Sequence, residues 1–334
     1  MVKKIKKKTK RTKRTKRKGG APTWTPSAPV TGLPPGVPGE KMFSMYDSEQ
    51  LNRLIARSVE REGLQDINDI EAFLRKNFFG RNLDDLLLKE EFDPVEEAQR
   101  LAFQALESQD PREIVFCVKR ALELDPECLD AQSLNLQILL CDSGEELIEA
   151  LSELVKTAEQ RMGEDYLEEH RGHFWGMTET RPYMRLLNTL FNELVKAGRD
   201  REAIECGEKM LDLNPNDNQG MRTPLCGLYL MRSDLEGARR LLDQYPEEML
   251  AAWNWAKTLE RFLSGDLEGA GQARKKAESQ NPHVLAYLTG QKQPPSAPLY
   301  GFSPGDESEA IYCFDELGPA FRAHPEAMKW LKGK

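Results

Sequence analysis

The chain has 334 residues, 39% hydrophobic and 31% charged, with a formal net charge of −8. That length allows one large or two ordinary domains with a sizeable core, and the composition excludes collagenous, mucin-like and membrane-spanning proteins. Six cysteines, at 117, 128, 141, 206, 226 and 313, form no Cys-x-x-Cys pair and follow no secretory signal, so free thiols in a reducing cytoplasm are expected.

The charge is divided unevenly along the chain. Lys3, Lys4, Lys6, Lys7, Lys8, Lys10, Arg11, Lys13, Arg14, Lys16, Arg17 and Lys18 stand in a block without a single acid, leaving 35 basic against 55 acidic residues, a net −20, for the rest. A run of like charge with no apolar face predicts a disordered arm open to polyanions such as nucleic acid or anionic lipid. Binding of that kind is non-specific and salt-dependent. No aromatic is interleaved to stack on bases, and a solvated tail or a self-contact with the acidic body is the alternative reading.

Residues 19–40 carry six prolines and read as an extended linker, so 1–40 forms the arm and its tether. Over 41–93, Leu51, Leu54, Ile55 and Val59, then Ile70, Phe73, Leu74 and Phe78, fall at helical spacing and predict two short helices. Asp93-Pro94 then reads as a helix start, with the cap at Asp93 and proline where its missing N–H costs nothing. From 94 to 290 helical patterns recur between short breaks, with hardly a run of alternating β-branched residues, so the fold class expected is all-α.

Three segments share one spacing. Ile114, Ala121 and Pro126, Ala203, Met210 and Pro215, and Ala270, Ala277 and Pro282 have identical offsets, each proline following Asp or Asn. The turns Gly198–Ala203, Ser233–Ala238 and Gly265–Ala270 align without gaps, at spacings of 35 and 32. This pattern resembles the tetratricopeptide repeat, a helix–turn–helix of about 34 residues with small residues at the crossing and a closing proline. The resemblance covers roughly 94–282, although Ala98 and Leu187 replace the large aromatic of the first helix and the unit at 129–161 matches poorly. It implies four to five hairpins stacked as a right-handed solenoid, each covering its neighbour's apolar face.

The Arg181-Pro182-Tyr183 turn and Asn214–Gly220 are similar to segments of a bacterial group of such proteins. Asn281-Pro282-His283-Val284, Tyr287–Gly290, Ser303–Ala310 and Trp330-Leu331 resemble the tail of the suppressor-of-tumorigenicity-7 family, whose eukaryotic members carry membrane segments with no counterpart here. The segment 291–334 is expected to cap the array through the stripe Ile311, Phe314, Leu317 and Phe321.

Chemistry-bearing motifs are sparse. His170-x-x-His173 lacks the His-Glu-x-x-His pattern and is interrupted by glycines, so no metal is expected. The cysteines read as small packing residues, and no phosphate-binding glycine motif occurs, so no cofactor is expected. Asn214–Asp217 reads as a helix-ending turn, while Asn218 and Arg222 are left open, Asn218 between capping the next helix and gripping a partner. Neighbours on a helix point about 100° apart, so Trp253 and Trp255, two positions apart, fall on different sides and predict one packed ring and one exposed ring. In repeat arrays, Asn and Arg on the inner helices grip a partner's backbone or carboxylates. Asn188, Asn192, Asn218, Arg222, Arg181 and Tyr183 are the partner-binding candidates on that basis. The expected function is a non-catalytic adaptor that binds a protein or peptide on the concave face of the array. The alternative is a nucleic-acid- or ribosome-associated protein tethered by the arm.

Overall fold

The computed structural model of the protein describes residues 44–295 and 301–333. The basic arm and the whole of the linker lie outside the described residues. Among the described residues there are helices and no strand, so the fold is all-α. No helix among them is long and apolar enough to cross a membrane.

Three helices, not two, fill 44–93: α1 (Met45–Arg61), α2 (Ile67–Asn77) and α3 (Leu83–Leu87). The unexpected third is started by the Asn82 side chain, which accepts from the Asp84 N–H at 2.8 Å, and is anchored by buried Leu83. α1 opens on a capping box in which the Ser44 hydroxyl accepts from the Asp47 N–H and the Asp47 carboxylate from the Ser44 N–H.

Five hairpins follow. They pair α4 (Pro94–Glu107) with α5 (Pro111–Leu124), α6 (Leu129–Leu139) with α7 (Gly144–Met162), and α9 (Arg181–Lys196) with α10 (Asp200–Leu213), α8 (Glu164–Glu169) lying before α9. α11 (Arg222–Met231) then pairs with α12 (Leu235–Gln244), and α13 (Ala251–Leu263) with α14 (Leu267–Gln280). First helices touch one another, α4 on α6, α6 on α9 and α11 on α13. As expected, Asp93 caps α4 and Pro94 is its first residue. The small residues fall where helices cross: Ala121, Ala203, Ala238, Ala270 and Ala277 have no exposed surface. The three aligned turns all open on a left-handed residue, Gly198 (φ 71°), Ser233 (φ 60°) and Gly265 (φ 85°), which explains glycine at two of them.

The chain ends in α15 (Val284–Leu288), α16 (Glu307–Ala323) and α17 (Pro325–Leu331). α16 does not rest on the last hairpin alone; it runs along the first helices α11 and α13. Ile311, Leu317 and Phe321 of the predicted stripe are buried, and Phe314 half-buried. Glu309, fully buried, accepts from the Ala251 N–H at 2.8 Å and so caps α13, while its other oxygen accepts from Asn281 at 2.9 Å and the Gly305 N–H at 2.7 Å. This corrects the reading of the two tryptophans: both are buried, because the Phe321 ring of α16 covers Trp255 and Tyr245 covers Trp253.

Candidate binding face

The aligned turns give a common register, in which Asn188, Asn192 and Val195 of α9 correspond to Thr223, Gly227 and Leu230 of α11 and to Trp255, Leu259 and Phe262 of α13. These positions share one face of each first helix. On α11 that face is covered: Thr223 bonds Tyr312, the Gly227 Cα lies under the Glu316 carbonyl, and the His324 ring meets the Leu230 carbonyl at 2.8 Å. A Cβ at position 227 would come within 2.8 Å of that carbonyl, so glycine lets α16 close on α11. On α13, Trp255 meets Phe321 and Phe262 meets Trp330.

On α9 the same face runs through Arg181, Arg185, Asn188 and Asn192, one helical stripe. α1 covers its N-terminal half. Arg185 grips Glu49 of α1 with bonds of 2.7 and 3.2 Å and Asp130 of α6 with bonds of 2.9 and 2.6 Å. Gln99 of α4 donates to Asp130 at 2.7 Å. The Arg185 guanidinium also lies 5.7 and 5.5 Å from the centroids of Tyr46 and Phe103, which pack on each other. Glu49 is 1% exposed and Asp130 4%. Burial alone would raise the Asp130 carboxyl and lower Arg185; their mutual attraction outweighs it, holding the carboxyl below its usual range and the guanidinium above its own. Burial pushes the Tyr46 phenol up to about 12.

The sequence-predicted residues separate into three groups. Arg181 and Tyr183 are drawn into structure. Arg181 donates to the Trp175 carbonyl at 2.9 Å, stacks on the Trp175 ring and lies 3.8 Å from Glu49. Tyr183, 1% exposed, faces the opposite side of α9 and donates to Glu159 at 2.6 Å. Its ring is core, so it offers a partner no direct contact.

Asn218 belongs to the α10–α11 turn and Arg222 opens α11. Asp217, not Asn218, caps α11: its carboxylate accepts from Met221 N at 2.6 Å and Arg222 N at 2.9 Å, while Asn218 is exposed. The carboxylate wins because two oxygens take two N–H groups from a left-handed residue, φ 51°. Arg222 is committed to Asp217 and Glu248, each at 3.1 Å, and to the Tyr245 ring. Burial pushes the Asp217 carboxyl up to about 6 against its bonds to Arg222 and Met221.

Asn188 and Asn192 remain. Both are half-buried, and neither side-chain amide has a hydrogen-bond partner among the described residues. They follow Arg185, about one and two turns further along the same stripe of α9. The basic residues Lys3 to Lys18 lie outside the described residues.

Other chemistry is scattered. His170 packs edge-on against Tyr166 while His173 is exposed, and no group of three or more metal-ligating side chains occurs among the described residues. Five cysteines are buried, with Cys128, Cys206 and Cys226 pushed up to about 12 by burial; Cys141 is exposed. Glu49, Asp130, Arg185 and Gln99 were not signalled by the sequence, since each sits in an amphipathic helix where a charge reads as solvated. No family model matches the chain, and no curated protein is similar to it in sequence.

Proposed function

We propose that the chain is a tetratricopeptide-like α-solenoid acting as a non-catalytic adaptor in the cytoplasm, holding a protein or peptide against the first-helix face. The observation that carries this reading is the pair Asn188 and Asn192, two amides one turn apart with no hydrogen-bond partner among the described residues, on a stripe of α9 whose N-terminal half is covered by α1. Side-chain amides one turn apart can read a peptide backbone, and repeat arrays bind through many modest contacts on a rigid surface.

A second reading rests on the arm, whose twelve cations would neutralise several phosphates of a nucleic acid. Affinity capture with the full chain and with a deletion of 1–40, each with and without nuclease, separates the two. A discrete protein that survives both treatments supports the adaptor; a catch of nucleic-acid-binding proteins that vanishes with nuclease or with the arm supports the second reading and sinks the first.

A further inference from the structure

We propose that the face beneath α1 is a binding site for an acidic helical segment of a partner protein, and that α1 occupies it as a built-in competitor. This deepens the adaptor reading and rests on it.

The first support is how α1 is held. Of its four buried residues, Asp47, Glu49, Leu54 and Ser58, only one is apolar, whereas α16 buries ten, most of them apolar. Apolar burial returns free energy in proportion to area, but ion pairs taken out of water return little net. Elements with few buried apolar contacts open most readily. α2, which follows α1, buries no residue at all, so α1 can lift away without dismantling the hairpins.

The second support is that the receptor is held in place from its far side. With α1 removed, Arg185 stays bonded to Asp130, Asp130 to Gln99, and Arg181 to the Trp175 carbonyl and ring. The guanidinium edge that Glu49 occupied then faces outward beside Phe103, with two arginines against one aspartate. That set favours a carboxylate and repels a cation. α1 itself shows the ligand's form: an aromatic, Tyr46, against Phe103, and a carboxylate, Glu49, three residues on, one helical turn apart.

A tethered occupant competes at its effective concentration, so weakening α1 should strengthen binding in trans. The probe is a fluorescein-labelled peptide of residues 44–62, titrated by anisotropy against the full chain and the full chain carrying Tyr46→Ala and Glu49→Gln. The double variant is expected to bind it at least tenfold more tightly than the unaltered chain. The same peptide carrying Glu49→Gln, or a receptor that also carries Arg185→Lys, should lose at least tenfold of that gain. Equal binding by both chains, or indifference to the peptide's carboxylate, would overturn the proposal. So would a dimer of the unaltered chain that Glu49→Gln dissolves, since a second copy would then be the occupant. Hydrogen exchange of the unaltered chain needs no variant: α1 amides should exchange at least tenfold faster than those of α16, and equal protection would also overturn it. None of these negative results touches capture of a partner at Asn188 and Asn192, so the two claims fail separately.

Discussion

Arg185 and Glu49 stand 136 positions apart in the chain and meet through two hydrogen bonds, fastening α1 across the third hairpin. Because Asp130 holds the other edge of the same guanidinium, removing Arg185 strands two buried carboxylates. Arg185→Met is therefore expected to cost about 3–5 kcal/mol in urea denaturation. Adding Asp130→Leu should recover part of that loss, with a coupling of roughly 1–3 kcal/mol. Additive losses would mean that the cluster is not one network.

Stability should rise, not fall, on mild acidification. The Asp217 carboxyl is raised to about 6 in the folded chain, where Arg222, Glu248 and Tyr245 surround it. A raised folded value contributes stability that is complete below the unfolded value and is lost as pH rises through about 6. Burial raises Asp315 to about 6 as well, so it acts in the same direction. Between pH 7 and 5 Asp217 should add roughly 1 kcal/mol, readable by denaturation at both values. Asp130, held low, works the other way: its share is present above the ordinary aspartate value and is lost only as pH falls through its lowered folded value. Asp217→Asn keeps an acceptor and tolerates the left-handed backbone, and should flatten the rise.

The three aligned turns predict opposite effects of one exchange. Ser233 adopts φ 60° with a Cβ, and Ser233→Gly should stabilise by up to about 1 kcal/mol. Gly198→Ala and Gly265→Ala, at φ 71° and 85°, should each destabilise by about 1–2 kcal/mol. Shifts of the same sign at all three would show that the turns are not equivalent.

The arm should act as a separable polyanion binder. With its twelve cations present, binding to a non-specific duplex should weaken steeply with salt. Deleting residues 1–20 should abolish that slope while leaving the melting temperature unchanged. A slope that survives the deletion would place the contacts on the folded body.

Much of the helical plan was legible because it is local. Asp93-Pro94 marks a cap, the identical offsets at Ala203, Met210 and Pro215 mark a crossing and a stop, and the turn glycines mark left-handed backbone. The candidate face was only half legible. Asn188 and Asn192 stand out in sequence by their place on an inner helix, but Glu49 and Asp130 look in sequence like any solvated helix charge. What buries them is α9, whose Arg185 stands 136 positions from Glu49 and 55 from Asp130, and no periodicity encodes that. The tryptophan pair failed for the same reason, since the wheel places each ring correctly but cannot show α16 arriving to cover the second. The cap of α11 was not legible for a narrower reason: Asp217 and Asn218 have similar capping propensity, and the carboxylate satisfies two N–H groups at once.

The most direct test is to capture partners from native lysate, after nuclease, with the full chain and with the full chain carrying Asn188→Arg and Asn192→Arg. Both positions are half-buried and carry no hydrogen bond among the described residues, so thermal stability should change little. The account predicts one discrete protein held by the unaltered chain and lost from the variant. A partner retained equally by both, or none without nucleic acid, would contradict it.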